Sequence, residues 1–291
     1  MPVNISASSG ERDSPASHIR LVVTYMDGTL LTPEKQITPR SIETISALHA
    51  AGVPVCLVSS RPPAGIEMYL DAIGLTTPYG ALNGASVFNA DRSIHTQLTL
   101  PPDVISDTLD MFNVHHLDTW LFRGHDWLIK NSAGPYVATE KRVIRQEPVI
   151  VDNFAEHMSG IGKVTGSSTD YTMMHDQELE IGRLMEGRAS VARSSQWYLD
   201  VTPLNANKGY ALCKIAEMYG VAPHEVACIG DMNNDLPMFD KAGLAIAMGQ
   251  TSPEVMAQAH YITASNSQEG WAEAMRTLVL PRAVSVEQKQ S

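Results

Sequence analysis

The sequence predicts an α/β fold in which a three-layer core, built on a parallel sheet, is interrupted by an inserted α+β unit. Near both ends of the chain, short apolar runs alternate with segments of helical periodicity, the order typical of strands joined by crossover helices. Between residues 86 and 202 this regular alternation is lost. Polar residues follow several of the apolar runs, and open parallel sheets bind their ligands at that edge.

The first buried strand, predicted at residues 21–24, is the element around which the others are placed. It leads directly into a polar turn that contains Asp27, Gly28 and Thr29. A carboxylate, a glycine that frees the backbone and a hydroxyl group at a strand tip are typical of a phosphate and cation site.

Two further crossover elements follow this strand. Thr38 is a suitable N-cap for a helix that Gly52 ends. The apolar run 53–58 then predicts a strand buried on both faces. A second helix, ended by Gly74, completes a strand–helix–strand–helix order, which favours a parallel sheet.

The inserted unit has a different pattern. Residues 104–112 predict a helix, and two strand-like segments at 119–123 and 126–130 flank a Gly124-His125 turn. Such a pair of segments around a short glycine-containing turn indicates a β-hairpin. The unit is therefore expected to combine an antiparallel sheet with helices.

The first pattern resumes after residue 202. A helix begins at Lys208 and ends at Gly220, and a buried strand follows at residues 226–229. These transitions predict a core at residues 20–85 and 203–280, an inserted cap at 86–202, a disordered N-terminal arm at 1–19 and a C-terminal tail at 281–291.

The composition limits the classes of partner. The 291 residues carry a formal net charge of −11, which disfavours nucleic acid and anionic membranes. No apolar run approaches the length of a membrane span, and the polar N-terminus lacks the apolar core of a secretory signal. The expected location is the cytoplasm. The sequence does not indicate an oligomeric state.

Four polar clusters stand at predicted strand ends or helix starts. Each cluster alone is weak, since a solitary aspartate after a glycine is usually part of a turn. Together, and in this order, they predict one site at the edge of the sheet. The clusters are Tyr25, Asp27 and Thr29; Ser59 and Arg61; Lys208; and Asp231, Asn234 and Asp235.

The order and residue types of these clusters resemble the four motifs of the haloacid dehalogenase superfamily of phosphatases. The first is similar to the motif Asp-x-Asp-Gly-Thr, with Tyr25 at the position of the first aspartate. The resemblance covers residues 20 to about 280 and implies a Rossmann-like core with an inserted cap of the C2 type. Similar to the signatures of the Cof-type branch are Ser59-Ser60-Arg61-Pro62, Asn83-Gly84-Ala85, Asn207-Lys208-Gly209 and Gly230-Asp231-Met232-Asn233-Asn234-Asp235.

This resemblance implies a Mg²⁺-dependent hydrolase of phosphomonoesters, acting on small phosphorylated metabolites such as sugar phosphates. The first aspartate of the motif attacks phosphorus, and the second, here Asp27, protonates the leaving oxygen and then activates water. Lys208 and the metal offset charge on the phosphoryl oxygens. The implied metal ligands are the backbone carbonyl of Asp27, Asp231, Asn234 and Asp235; the implied phosphate-binding residues are Gly28, Thr29, Ser59, Arg61, Asn83, Gly84, Lys208 and Asn234.

Tyr25 departs from the family pattern at the nucleophile position. A phenol has a pKa near 10, so it is a poor nucleophile unless it is activated. The tyrosine also removes one carboxylate from the implied metal ligands, so Mg²⁺ binding is expected to be weakened. Three interpretations stay open: an engineered or erroneous residue in a working phosphatase, a natural pseudo-enzyme that binds a phosphorylated ligand, or a tyrosine nucleophile.

Overall fold

The computed structural model describes residues 5–8, 10 and 13–285 of the chain. In this part of the chain the strands form one sheet of nine strands and one of six. The nine-stranded sheet contains β1 Ser6–Ala7, β2 Leu21–Tyr25, β3 Val55–Val58, β4 Tyr79–Ala81, β5 Ser86–Phe88, β6 Ile94–Gln97, β13 Val226–Gly230, β14 Leu244–Ala247 and β15 Tyr261–Ile262.

The order of the strands in this sheet is β1-β15-β14-β13-β2-β3-β4-β5-β6. All neighbours from β15 to β4 are parallel, whereas β1, β5 and β6 pair antiparallel. The helices that accompany this sheet are α1 Pro39–Ala50, α2 Ala64–Ile73, α6 Lys208–Tyr219, α7 Leu236–Lys241, α8 Pro253–Ala257 and α9 Gly270–Ala274.

The core has three layers because β2 is buried on both of its faces. Val22 packs into an apolar cluster with residues of α1, α2 and α9. Leu21, Val23 and Tyr25 point the other way, into a cluster with residues of α6, α7 and α8. The predicted α/β architecture with a parallel sheet is therefore confirmed.

The six-stranded sheet forms the inserted unit. Its strands are β7 Asp118–Arg123, β8 Asp126–Ile129, β9 Val149–Ile150, β10 Lys163–Ser167, β11 Ala189–Ser195 and β12 Tyr198–Pro203, in the order β11-β12-β10-β7-β8-β9. Its helices are α3 Pro102–Val114, α4 Val137–Ile144 and α5 Tyr171–Leu184. One face of this sheet packs on α3 and α5, whereas the other contributes Trp120, Phe122 and Trp127 to the apolar cluster of the core, which also contains residues of α4.

The inserted unit is predicted to start at residue 86, but the two strands that follow this point do not belong to its sheet. β5 and β6 extend the core sheet, because Asn83 and Gly84 turn the chain back with positive φ angles of 57° and 89°. The six-stranded unit and its first helix therefore begin after β6.

The expectation of a disordered N-terminal arm is wrong for the described residues of this segment. β1 pairs with β15, and the backbone N–H of Ala16 donates to Gly243. Ile19 is fully buried and forms a bridge to Ala283. The remainder of the arm, and the predicted tail beyond residue 285, lie outside the described residues. No helix in the described ranges has the length and apolar character needed to cross a bilayer.

Candidate functional site

The predicted clusters meet at one edge of the core sheet. Tyr25 pairs in register with Val58, and Thr24 pairs with Ile229. The parallel strands β2, β3 and β13 therefore end side by side, and the polar turns that follow them face one another.

Lys208 packs against the tyrosine at the nucleophile position. Its Nζ lies 3.3 Å from the centroid of the Tyr25 ring, because α6 begins with Lys208 on the face to which Tyr25 points. The ammonium also donates to Asn234 Oδ1 at 2.8 Å and to Asp235 Oδ1 at 2.6 Å. Burial lowers the pKa of Lys208, and Asp235 opposes this shift. The contacts of Lys208 are thus made with the protein's own groups.

Asp235 is a buried structural partner in this arrangement. Its Oδ2 accepts the backbone N–H groups of Asp231 at 2.9 Å and Met232 at 3.0 Å, while its Oδ1 accepts from Lys208. Asn234 also directs its side-chain oxygen to Lys208. Both residues lie at the site, but their oxygens are used to hold the turn and the lysine.

Asp231 has a more open carboxylate. Thr29 Oγ1 donates to its Oδ1 at 2.7 Å. Gly28 has a φ of 77°, and a Cβ at this residue would lie 2.3 Å from Asp231 Oδ2, so the close approach requires glycine. Burial, and then the neighbouring Asp235, raise the pKa of Asp231 to about 7.

Asp27 is held by two cationic side chains. Arg61 donates from Nε to Oδ2 and from Nη2 to Oδ1, both at 2.7 Å, and Lys35 Nζ donates to Oδ1 at 2.8 Å. Burial raises the pKa of Asp27, but the hydrogen bonds and charge of Arg61, and then Lys35, outweigh it and lower the pKa to about 2. Asp27 is therefore an ionised, paired carboxylate.

The phenol of Tyr25 is neutral at ordinary pH. Burial raises its pKa well above 10, and the charges of Asp27, Asp235 and Asp231 add to the effect. These groups hold the proton on the phenol, so the geometry disfavours the interpretation of Tyr25 as a nucleophile.

The turn after β3 lies beside this centre. Ser59 Oγ accepts the backbone N–H of Arg61 at 3.1 Å, and Ser59 O accepts that of Asn83 at 3.0 Å. Asn83 Oδ1 is buried without a hydrogen-bond partner. A Cβ at Gly84 would lie 2.1 Å from Asn207 O, so this glycine allows the loop to approach the start of α6.

Little space is left between the inserted unit and these turns. A cavity of about 10 Å³ lies among Ser60, Asn83, Asp200 and Asn234. A half-open cavity of about 530 Å³ adjoins it at Asp231 and is lined on the opposite side by the β11 strand. The larger cavity therefore gives access to the site at Asp231.

Sequence reasoning missed three charged residues near the site: Lys35, Lys163 and Asp200. Lys35 lies in a polar loop, where a lysine gives no specific signal. Lys163 and Asp200 are on strands whose polar and apolar residues alternate, and this alternation indicates that the polar residues of each strand share one face of the sheet. Their pairing across two strands could be found only from the strand register.

The implied metal site can be tested against these contacts. Mg²⁺ prefers several oxygen ligands in near-octahedral geometry. The carboxylates of Asp27 and Asp235 are engaged with cations or backbone N–H groups, which leaves Asp231 as the open carboxylate. Within the described residues, no group of three or more His, Cys, Asp or Glu side chains could hold a metal ion. The arrangement with Tyr25 does not fit a tight Mg²⁺ site.

The fold and the site define a class of protein: an α/β core with a polar site at the carboxyl edge of its parallel sheet, beneath an inserted α+β cap. The sequence model of the haloacid dehalogenase-like hydrolases matches residues 22–275. The chain belongs to this family, and the resemblance inferred from its motifs is confirmed.

Individual relatives align over nearly the whole chain. The 5-amino-6-(5-phospho-D-ribitylamino)uracil phosphatase YitU of Bacillus subtilis is 27% identical over 277 residues, covering 88% of this chain and 96% of the relative. The pyridoxal phosphate phosphatase YbhA of Escherichia coli is 25% identical over 264 residues, covering 87% and 96%. A crystal structure of a haloacid dehalogenase-like hydrolase from Bacteroides thetaiotaomicron has a TM-score of 0.79 at 27% identity and covers 89% and 98%.

Proposed function

We propose that this chain is a phosphomonoester hydrolase scaffold for small phosphorylated metabolites, whose hydrolytic activity is impaired by Tyr25. The observation that carries this proposal is the contact between Lys208 and Tyr25. The ammonium faces a phenol ring at 3.3 Å, in the position where the family resemblance implies a nucleophilic carboxylate. The names of the two phosphatase relatives support the choice of phosphorylated metabolites as ligands.

The other side chains have roles that do not depend on the nucleophile. Backbone N–H groups and the hydroxyl of Ser59 would bind phosphoryl oxygens. Asp27 would exchange a proton with the leaving oxygen, although its pairing with Arg61 and Lys35 opposes protonation. Asp27 therefore has to loosen from one of these partners before it can act as an acid.

Mg²⁺ binding is proposed to be weak in this chain. Asp231 would be the principal carboxylate ligand, with the backbone carbonyl of Asp27 beside it. Replacement of Tyr25 by aspartate would supply a second carboxylate, so the variant should bind Mg²⁺ more tightly.

The decisive experiment compares the chain with Tyr25 and its variants Tyr25→Asp and Tyr25→Phe. Phosphate release from a panel of sugar phosphates, pyridoxal phosphate and p-nitrophenyl phosphate is measured with and without Mg²⁺. Tyr25→Asp should increase kcat/KM by at least about 1,000-fold on one ester, since loss of a covalent nucleophile costs several orders of magnitude. Tyr25→Phe is the matched control and should remain as slow as the chain with Tyr25.

Two results would contradict the proposal. A Tyr25→Asp protein that folds but hydrolyses no ester of the panel would exclude the impaired hydrolase. A chain that is active with Tyr25, and loses activity in Tyr25→Phe, would instead assign the chemistry to the phenol.

A non-catalytic binding function is the second candidate. It is favoured by the paired state of Asp27, because an acid held by two cations is not poised for proton transfer. Calorimetry with inorganic phosphate and the panel esters should then detect binding without turnover, and Lys208→Ala should weaken it. Equal affinity in Lys208→Ala would remove Lys208 as an anion-binding group.

A further inference from the structure

A buried lysine of the inserted unit makes a hydrogen bond to the core. Lys163, the first residue of β10, donates from Nζ to the backbone carbonyl of Ser60 at 3.0 Å. It also donates to Asp200 Oδ2 at 3.2 Å, and its Nζ lies 4.7 Å from the centroid of the Phe122 ring. The side chains of Lys163 and Asp200 are each only 6% exposed.

The carboxylate partner is itself fixed. Thr165 Oγ1 donates to Asp200 Oδ1 at 2.6 Å, so both oxygens of Asp200 have a partner on the neighbouring strand β10. The position of the ammonium is therefore determined by the inserted sheet, and its remaining strong contact is made with the core.

A buried ion pair of this kind is not needed to hold the two units together. Apolar residues of similar volume often replace such a pair without loss of stability. The same face of the inserted sheet already packs Trp120 and Phe122 into the apolar cluster of the core. The distinctive contribution of Lys163 is thus a directed hydrogen bond to Ser60.

Ser60 lies within the turn that supports Asp27. Its neighbour Arg61 donates two hydrogen bonds to that carboxylate. The other bonds of the turn are internal to the core: Arg61 O accepts from Leu82 N–H, and Ser59 O accepts from Asn83 N–H. Lys163 thus donates to this turn from the opposite unit.

We propose that Lys163 is a positioning residue, which fixes the turn of residues 59–61 when the inserted unit is closed on the core and so directs Arg61 towards Asp27. The structural part of this inference concerns the chain as it stands, whereas its catalytic part rests on the proposed function. The two parts are tested separately.

Hydrogen exchange of Asp200→Asn and of Lys163→Met/Asp200→Asn tests the structural part, because the double variant leaves no uncompensated carboxylate in the inserted sheet. The amides of Arg61, Leu82 and Asn83 should exchange about tenfold faster in the double variant, because local opening of the turn becomes easier. The amides of the inserted sheet should be little changed. Lys130→Met is the control, since Lys130 is an exposed lysine of the inserted unit with its Nζ 5.1 Å from the centroid of the Phe154 ring, and within the described residues its ammonium makes no hydrogen bond to the core.

Kinetics in the Tyr25→Asp background test the catalytic part. Adding Lys163→Met should lower kcat by about 10- to 100-fold, because small displacements of reacting groups are costly. KM should stay within about threefold, since Lys163 bonds to the backbone of the turn and not to ligand. If Tyr25→Asp is itself inactive, the proposed function fails, while the hydrogen-exchange result still decides the structural part.

A gentler variant covers the case in which Lys163→Met/Asp200→Asn does not fold. Thr165→Val removes the bond to Asp200 at nearly constant volume, and it should cause a smaller increase in exchange at the same three amides. The inference is overturned if exchange at the turn is unchanged in a folded variant. It is also overturned if exchange rises equally throughout the inserted sheet, which would mark a purely structural role.

Discussion

The pair formed by Lys208 and Asp235 should be among the most sensitive positions of the molecule. Both side chains are 0% exposed, and their charged atoms are 2.6 Å apart. Lys208→Met removes the ammonium but keeps an apolar chain of similar length against the Tyr25 ring. Asp235 then remains as a buried carboxylate with two backbone N–H donors and no counter-charge.

The expected cost follows from the burial of both partners. Removing one member of a buried ion pair destabilises a protein by about 3–5 kcal/mol, because the other charge is left uncompensated. For a chain of this size, such a loss lowers Tm by roughly 10 °C. The double variant Lys208→Met/Asp235→Asn leaves no unpaired charge at these two positions, so its cost should be smaller than the sum of the two single costs by about 2 kcal/mol.

A double-mutant cycle measured by thermal and urea unfolding tests this expectation. Lys214 and Glu217 provide a control on the same helix, since their charged atoms are 2.8 Å apart but their side chains are 34% and 67% exposed. Lys214→Met should cost no more than about 0.5 kcal/mol. The reasoning is refuted if Lys208→Met costs as little as Lys214→Met, or if the costs at Lys208 and Asp235 are simply additive.

Two further predictions concern backbone geometry and pH. Gly84→Ala should lower the free energy of unfolding by at least about 2 kcal/mol in urea denaturation, since the added Cβ meets a backbone oxygen. Gly182→Ala, with no atom within 4 Å, should raise it by about 0.5–1 kcal/mol. His125 Nε2 lies 2.9 Å from Glu67 Oε1, and this hydrogen bond raises the pKa of His125. The pair's contribution is fully present below the unfolded pKa of about 6.5 and is lost as pH rises through the raised folded value. His125→Gln should therefore cost about 0.5 kcal/mol at pH 6 and less at pH 9, with His95→Gln as control; Tm at both pH values measures it.

The glycine prediction and the His125 prediction would each be contradicted by a specific result. Equal changes for the two glycine variants would show that the loop near the start of α6 has room for a side chain. A cost of His125→Gln that is independent of pH would show that the histidine acts through packing, since its ring also lies 5.1 Å from that of Phe88.

Local patterns were sufficient to predict the core strands and the edge at which the polar clusters meet. The apolar run that became β3 and the turn at Asp27 lie close in sequence to the signals that define them. The partners of Asp27 could not be predicted from local patterns. Arg61 lies 34 residues away and can reach the carboxylate only after β2 and β3 have paired. Residue types at strand ends predict a shared location, but not which groups neutralise one another.

The boundary near residue 86 illustrates a second limit. The residue pattern of β5 and β6 predicts strands, but it does not indicate to which sheet these strands belong. Their assignment depends on the left-handed turn at Asn83 and Gly84, which sends the chain back along β4. The sequence pattern therefore changes near residue 86, whereas the chain leaves the core sheet only after β6.

Strand β1 pairs with β15 and so covers that edge of the parallel strands in the nine-stranded sheet. β15 would otherwise present unpaired N–H and C=O groups to solvent. Exposed edge strands of this kind promote association between molecules. The N–H of Ile19 donates to Arg282 O, and Ile19 O accepts from the N–H of Val284. The chain at Ile19 is therefore hydrogen-bonded to the chain that follows α9. An expression tag is thus best joined through a spacer that leaves Ser6–Ala7 free to pair, and trimming the first 19 residues would give a protein more prone to aggregate.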